Sequence, residues 1–209
     1  FQQRHMEKLV GNYGIGHVRY PTAGGAGKEF AQPMYVNSPY GISLAHNGNL
    51  TNSKELAVQL FHAEMRHLNT DSDSEVLLNI FAHELGKQRE IYPSADHIFK
   101  AVAKTHRRCD GAYAVLAIIT GHGILAFRDS NGIRPLSIGI RKGTKRDEYI
   151  IASEDALFES QGFKKLRDVE PGEAVYIDKK GNFFSQQCAE APQKRPCIFE
   201  YVYFSRPDS

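Results

Sequence analysis

The chain has 209 residues, of which 41% are hydrophobic and 24% are charged, and its formal net charge at pH 7 is +2. These values are typical of a soluble globular protein with room for one sizeable domain, or for one domain and part of another. They exclude a membrane-spanning helix, because no apolar run approaches the ~20 residues that such a helix needs.

Cysteine usage and charge pattern indicate the cellular environment of the protein and the kinds of partner to expect. Cys109, Cys188 and Cys197 are an odd number without metal-binding spacing, which favours a reducing, cytoplasmic environment over a disulfide framework. The N-terminus lacks the apolar segment of a signal peptide. The densest basic cluster, in residues 141–146, has no interleaved aromatic residue and is interpreted as a solvated loop. We therefore expect neither a nucleic acid nor a membrane as a partner.

The N-terminal part of the chain predicts strands and a loop. Residues 11–20 are typical of a strand with a polar tip, and the Gly-rich residues 21–33 predict a mobile loop. Residues 34–48 predict two short strands around an Asn-Ser-Pro turn. Asn47-Gly48 is a strong signal for a hairpin turn. However, the helical spacing that follows places the pair on a strand-to-helix connection, where backbone N–H groups can face a ligand.

Three helices are predicted next, over residues 53–67, 70–85 and 94–108, and Ser72 and Glu75 have the spacing of a capping box in the second. The remainder is rich in predicted strands separated by Gly or Asn-Gly turns. These strands cover residues 112–120, 123–129, 136–141 and 149–154. A short helix is predicted at 155–162, a terminal hairpin at 174–187 and an aromatic strand in the tail at 197–209. Helices between two sets of antiparallel strands predict an α+β layered domain.

Three polar spots adjoin the ends of predicted elements and are candidates for chemistry. Arg19 could bind a carboxylate bidentately, Asp73 could bind an ammonium, and the Asn47 amide beside the Gly48 N–H could stabilise an oxyanion. Together these groups complement a free α-amino acid whose side-chain carbonyl is attacked. Taken singly, each also has a structural explanation: an edge-strand cation, an acid that complements a helix dipole and a plain turn.

Five segments, GIGHVRYPTAG, LAHNGNL, TDSDSE, FRDSNGIRPL and CIFEYVYFSRPDS, together resemble the amidophosphoribosyltransferase family. The first three recur across class II glutamine amidotransferases, and the last two are more specific to this family. The resemblance covers essentially the whole chain. It implies an N-terminal-nucleophile hydrolase fold, which is a four-layer αββα sandwich of two antiparallel sheets between helical layers, here incomplete at its N-terminus.

The resemblance also implies a glutamine site. Arg19, with Thr22 nearby, would hold the α-carboxylate of glutamine, and Asp73 would hold its α-amino group. Asn47 and the Gly48 N–H would form the oxyanion hole. A lid over the substrate would consist of Thr22, Ala23, Gly24, Gly25, Ala26, Gly27, Lys28 and Glu29.

The family's reaction releases ammonia from glutamine and transfers it to phosphoribosyl pyrophosphate. The products are 5-phosphoribosylamine, glutamate and pyrophosphate, in the first committed step of purine synthesis. The resemblance assigns residues 1–187 to the glutaminase domain, and residues 188–209 to a linker and first strand leading to a phosphoribosyltransferase domain. It further implies Mg²⁺ bound outside these residues and no cofactor within them. It also implies feedback inhibition by purine nucleotides and a homo-oligomer, which is a tetramer in the family.

The family's nucleophile is an N-terminal cysteine in a Cys-Gly-Ile start, and its own α-amine can act as the base. That start is not in this sequence, and Cys109, Cys188 and Cys197 are all internal. We therefore expect no glutaminase activity from this polypeptide alone.

Two alternatives stay open at this point. Another class II glutamine amidotransferase, such as glucosamine-6-phosphate synthase, would share Arg19, Asn47-Gly48 and Asp73 but not the aromatic C-terminal segment. A non-catalytic glutamine-binding module would account for the missing N-terminal cysteine.

Overall fold

A computed structural model of the protein describes residues 2–18 and 27–204. The helices are α1 (Gln3–Met6), α2 (Ser53–Glu64), α3 (Asp73–Gly86) and α4 (Ala95–Arg108). The strands are β1 (Met34–Val36), β2 (Ile42–Leu50), β3 (Gly111–Ile119), β4 (Gly123–Arg128), β5 (Ser137–Arg141), β6 (Glu148–Ala152), β7 (Lys164–Asp168), β8 (Glu173–Asp178) and β9 (Phe183–Gln187). Short 3₁₀ turns lie at Lys28–Phe30 and Glu159–Gln161, and a π-helical turn lies at Glu200–Phe204.

The strands form two antiparallel sheets. The larger has the order β1-β2-β3-β4-β8-β9 and the smaller the order β6-β5-β7. Side chains alternate between the two faces of the larger sheet, as the two-residue period of a strand requires. Tyr113 and Val115 of β3 pack in the main core with the long helices, whereas Ala114 between them packs against residues of the smaller sheet, such as Ile138. The described residues therefore supply three of the four layers of the predicted αββα sandwich.

Helix α3 is the most deeply buried helix of this arrangement, because it contacts α2, α4, β1 and β2. It carries buried polar side chains as well as apolar ones, and these polar groups have partners. The Glu75 carboxylate accepts from the backbone N–H groups of Asn69 and Thr70 at 2.8 and 2.7 Å. Glu84 accepts from Arg108 at 2.8 Å, which ties α3 to the end of α4. The helix is thus fixed firmly enough for its first turn to present side chains at a defined place.

Several predictions of secondary structure are confirmed. The two strands around an Asn-Ser-Pro turn are β1 and β2, the three helices are α2 to α4, and the C-terminal hairpin is β8–β9. The basic residues 141–146 lead into the β5–β6 loop, and two of them, Arg141 and Lys142, are paired with acidic side chains of Glu148 and Asp147. No helix in the described ranges is both long and apolar enough to span a membrane.

Other predictions of secondary structure are wrong. Residues 11–18 form no strand, and their run contains three glycines and leaves Val18 almost fully exposed, so little packing holds them extended. Residues 200–204 form a π-helical turn rather than an aromatic strand. Helix α2 ends at Glu64, three residues early, because Met65 adopts a left-handed conformation.

The capping box predicted for α3 is also wrong. The Ser72 hydroxyl accepts from the backbone N–H of Ser74, but Glu75 binds the preceding loop instead of closing the box. Such a box is present at the start of α4, where Ser94 and His97 cap each other. Asn47-Gly48 lies within β2, opposite Ala114 and Tyr113, rather than on a connection after it.

We expect Phe127→Ala to test the main core. Phe127 is fully buried, and its ring lies 5.8–6.2 Å from the rings of Phe81, His106 and Tyr113. Truncation should lower the free energy of unfolding by about 3–5 kcal/mol, because it removes apolar burial and leaves a cavity. Urea unfolding followed by circular dichroism measures the change. Phe61→Ala, at a ring that is 49% exposed, is the control and should cost less than about 1 kcal/mol. Equal losses would contradict the core assignment.

Candidate active site

The candidate site lies along one edge of strand β2. Strand β2 lies between β1 and β3, but β1 pairs only with residues 42–44, so residues 46–50 extend beyond it. On this edge the His46 N–H donates to the Gln32 side chain at 2.6 Å, and the Leu50 N–H donates to Asp73 Oδ2 at 2.9 Å. Since N–H groups two residues apart point the same way in a strand, the Gly48 N–H lies on this edge between those two bonds.

Gly48 is required at this position by backbone geometry. Its φ is +147°, and a Cβ there would lie 1.9 Å from the Ala112 carbonyl oxygen of the neighbouring strand. No side chain can therefore stand on this residue without displacing β3. Gly48 is exposed, and without a side chain its backbone is open to the approach of a ligand.

Asp73 reaches the same edge from helix α3. It is the first residue of that helix, and its Oδ2 bond to the Leu50 N–H fixes the carboxylate two residues from Gly48. The side chain is only partly buried, and among the described residues Oδ1 has no hydrogen-bond partner. Asp73 thus accepts a hydrogen bond from strand β2 with Oδ2, and its Oδ1 is available to a ligand.

A ring of hydrogen bonds holds the strand just before Asn47. The Gln32 side chain accepts from the His46 N–H and donates to Ser74 Oγ at 3.0 Å, and Ser74 Oγ lies 3.1 Å from His46 Nδ1. Burial lowers the pKa of His46, an effect that the Asp73 carboxylate opposes. The ring joins the segment after the predicted lid, strand β2 and the first turn of α3.

Asn47 is held by a residue of the loop after β4. Its Oδ1 accepts from Arg134 Nη2 at 2.5 Å, and its Nδ2 lies 3.5 Å from Ser153 Oγ. The second terminal nitrogen of Arg134, Nη1, forms an ion pair with Glu200 in the C-terminal turn. The Asn47 amide is therefore oriented by a cation that itself is anchored elsewhere.

The structure brings together two of the three polar spots predicted from the sequence. Gly48 and Asp73 lie at the exposed edge of β2, and Asn47 directly precedes Gly48 in the same strand. Arg19 and the lid residues Thr22, Ala23, Gly24, Gly25 and Ala26 lie outside the described residues, so their roles stay predictions. Of the remaining lid residues, Gly27 directly precedes the 3₁₀ turn at Lys28–Phe30. Lys28 and Glu29 lie in that turn and are exposed.

Sequence reasoning missed the residues that support this edge. Gln32, His46, Ser74 and Arg134 were not predicted to act there, although two of them stand beside predicted site residues. Adjacency to Asn47 and to Asp73 was the available signal for His46 and Ser74. Arg134 belongs to the FRDSNGIRPL segment, whose contact with Asn47 spans 87 positions of sequence.

The environments of the two most buried cysteines make their thiols poor nucleophiles. Cys109 and Cys188 are 4% and 7% exposed, and burial raises the pKa of each thiol to about 12. Since the thiolate is the reactive form, neither sulfur is activated. Cys197 is partly exposed and precedes the C-terminal turn.

Comparison with known proteins finds similarity along the whole chain. A family profile described as glutamine amidotransferase domain matches residues 25–160. Among curated proteins, the amidophosphoribosyltransferases of Escherichia coli and Pseudomonas aeruginosa are 59% and 57% identical to the chain across its whole length. The chain spans 42% of the length of each of these relatives.

Two solved structures share the fold. The glutamine phosphoribosylpyrophosphate amidotransferase from B. subtilis, complexed with ADP and GMP, superposes with a TM-score of 0.74 at 35% identity. A structure described as the allosteric regulatory enzyme of purine biosynthesis gives a TM-score of 0.76 at 36% identity. Each match covers 92% of this chain and 38% of the other. With the two antiparallel sheets and three long helices, this likeness confirms the predicted α+β N-terminal-nucleophile hydrolase fold.

We expect Gly48→Ala to destabilise the sheet strongly. The added methyl group meets the Ala112 carbonyl and also strains the backbone, so the free energy of unfolding should fall by at least about 3 kcal/mol. Gly121→Ala is the matched control, because Gly121 has a φ of +77° but no heavy atom within 4 Å of its Cβ position. That variant should lose only the ~1–2 kcal/mol of backbone strain. If urea unfolding gives similar losses of unfolding free energy for the two variants, the close approach to β3 does not determine the cost of the added methyl group.

We expect Cys109 and Cys188 to resist alkylation in the native protein. Iodoacetamide at pH 8 should leave both unmodified, because each thiol is buried and stays protonated at that pH. Peptide mass mapping measures the modification, and the same treatment in denaturant should label both. Labelling of either residue at the rate of a free thiol under native conditions would contradict this environment.

Proposed function

The chain belongs to the glutamine amidotransferase domain family, and from that premise we propose that it is the glutaminase part of an amidophosphoribosyltransferase. The protein that contains it would hydrolyse glutamine to glutamate and pass the ammonia to phosphoribosyl pyrophosphate. The products of that transfer are 5-phosphoribosylamine and pyrophosphate. The names and high identity of the relatives from E. coli and P. aeruginosa support this choice over other glutamine-dependent enzymes.

The structural observation that carries the proposal is the Asp73 bond to the Leu50 N–H. It brings a partly exposed carboxylate to the edge of β2 on which the Gly48 N–H lies, next to Asn47 in the chain. One oxygen of Asp73 then remains for the α-ammonium of an amino acid. In glutamine, the side chain separates the α-amine from the amide. A carboxylate that binds the amine at one point of the strand and oxyanion donors for the amide at another therefore suit that substrate. Arg19 is proposed to bind the α-carboxylate with Thr22 nearby, and Thr22 to Glu29 are proposed as the lid.

The chemistry proposed for this edge is stabilisation of negative charge. When a nucleophile attacks the amide carbon of glutamine, the carbonyl oxygen becomes an oxyanion. The Asn47 Nδ2–H and the Gly48 N–H would donate to that oxygen, and both donors are fixed before the substrate arrives. Donors aimed in advance at developing charge cost no reorganisation during the reaction. In the family that the chain resembles, an N-terminal cysteine is the nucleophile, and collapse of the intermediate releases ammonia.

Magnesium, which the resemblance implies for the phosphoribosyl transfer, does not fit the described residues. Their one cluster of potential metal ligands is Glu64, His83 and Glu84. Arg108 already binds both carboxylates at 2.7 and 2.8 Å, and Lys87 pairs with Glu84 at 3.0 Å. Mg²⁺ prefers several waters and uncommitted oxygen ligands. We propose that the ion binds outside this chain, and no step at the β2 edge depends on it.

The remaining features of the proposal follow from the resemblance alone. We propose a homo-oligomer, a tetramer as in the family, regulated through purine nucleotides and located in the cytoplasm. Native mass spectrometry of the full-length protein, with and without ADP and GMP, would test the assembly and its nucleotide binding.

We expect Asp73→Asn in the full-length protein to weaken glutamine binding selectively. Asparagine retains an oxygen that can accept from the Leu50 N–H but loses the charge that binds an ammonium. A charge-assisted hydrogen bond contributes about 1.5–3 kcal/mol, so KM for glutamine should rise by about 10- to 150-fold. The formation of phosphoribosylamine from added ammonia should stay unchanged. Both rates are measured with the same phosphoribosyl pyrophosphate assay.

Asp71→Asn is the matched control for this experiment. Asp71 is an exposed acidic residue two positions before Asp73, outside the helix, and its charge should not affect KM for glutamine. If Asp73→Asn lowers the glutamine-dependent and ammonia-dependent activities equally, the proposed contact with the substrate amine is wrong.

A further inference from the structure

Arg134 connects the Asn47 amide to the C-terminal turn. Its Nη2 donates to Asn47 Oδ1 at 2.5 Å, and its Nη1 pairs with the Glu200 carboxylate. The side chains of Arg134 and Glu200 are 22% and 9% exposed, so the pair is largely shielded from solvent. Asn47 and Arg134 are 87 residues apart in sequence, and Glu200 lies a further 66 residues along. The contact therefore depends on the complete fold.

The chemistry of the guanidinium fixes which way the Asn47 amide faces. Arginine can only donate hydrogen bonds, so the atom of Asn47 that faces Arg134 is the carbonyl oxygen. The Nδ2 group must then point away from Arg134, and it lies near Ser153 at the long distance of 3.5 Å. A rotated amide would set its own N–H donors against those of Arg134. Only one of the two amide orientations is compatible with the cation.

The loop that carries Arg134 is held by several hydrogen bonds to its backbone. The buried Asp129 carboxylate accepts from the backbone N–H groups of Asn131 and Ile133 at 2.9 and 3.2 Å. Arg128 donates to the carbonyl oxygens of Gly132 and Arg134 at 2.7 and 2.5 Å. These bonds leave the backbone of residues 129–134 little freedom. The guanidinium of Arg134 is thus supported from its own backbone and, at its far end, from Glu200.

We propose that Arg134, held by Glu200, is a positioning residue that turns the Asn47 Nδ2–H toward the oxyanion of the reacting amide. The inference rests on the proposed function, because it assigns a purpose to a contact with a proposed oxyanion-hole donor. Arg134 acts through Asn47 and does not itself touch the substrate. The FRDSNGIRPL segment then contributes indirectly to glutamine hydrolysis, since it carries the cation that orients the Asn47 amide.

The first experiment separates positioning from substrate binding. In the full-length protein, Arg134→Ala should lower kcat for glutamine hydrolysis by about 10- to 100-fold, the cost of a misplaced catalytic group. KM for glutamine should change by less than about threefold, because ground-state contacts remain. The formation of phosphoribosylamine from ammonia should be unchanged. A rise in KM alone, or equal loss of both activities, would overturn the proposal.

A double-mutant cycle tests whether Arg134 acts through Asn47. Asn47→Ala alone should lower kcat by about 10²–10³-fold, as does removal of other oxyanion-hole donors. Adding Arg134→Ala to that variant should produce no further loss, because the group that it orients is already absent. Multiplicative losses would show that Arg134 acts independently of Asn47 and would reject the inference.

Variants of the ion pair supply a matched comparison. Glu200→Gln removes the charge that anchors Arg134 and should lower kcat in the same direction as Arg134→Ala but by less. Glu148→Gln breaks a comparable arginine pair, with Arg141, in which both partners are about half exposed. It should leave kcat unchanged. Equal kcat values for Glu200→Gln and Glu148→Gln would remove Glu200 from the proposal.

Folding is checked by thermal unfolding of each variant. If Arg134→Ala does not fold, Arg134→Lys takes its place, because lysine keeps the charge but cannot reach both Asn47 and Glu200 with one planar fork. Its kcat should fall with KM unchanged, and an unchanged kcat overturns the inference. A wild-type full-length protein that releases no glutamate would overturn the proposed function itself. Wild-type activity with unaffected Arg134 variants would overturn only this inference.

Discussion

The candidate site depends on strand β2 being longer than its neighbour β1. Because β1 pairs only with residues 42–44, the N–H groups farther along that edge of β2 need other partners. Gln32 takes the one at His46 and Asp73 takes the one at Leu50, which leaves the Gly48 N–H between them facing the site. A hydrogen-bonding requirement of the backbone therefore determines where side chains gather and where a ligand can bind.

Helix α3 supports this edge because its first turn is anchored on several sides. Glu75 binds the preceding loop, Ser74 joins Gln32 and His46, and Asp73 reaches strand β2. The rest of the helix is buried between α2, α4 and the sheet, which limits its movement. The same residues thus hold the helix in place and define one end of the site, so stability and recognition share a single set of contacts.

The sequence predicted the elements whose patterns are local and strong, and the site residues whose chemistry is distinctive. The spacing of Leu56 and Leu60 indicates α2, and the chemistry of the Asn47 and Asp73 side chains predicts one shared substrate. The helical spacing after Asn47-Gly48 predicts a connection at that pair, whereas pairing with β3 keeps it in the strand. The contacts of Arg134 could not be predicted, since they join residues far apart in sequence.

The position of Gly48 opposite Tyr113 has a consequence for how β2 finds its partner during folding. A slip of one residue would turn the alternating apolar side chains of β2 toward the wrong face of the sheet. It would also bring an asparagine, with its Cβ, to the place where the Ala112 carbonyl leaves no room. An incorrectly aligned pair of β2 and β3 is therefore penalised twice, by lost burial and by steric overlap. The glycine that opens the strand to a ligand also disfavours a misaligned pairing of β2 with β3.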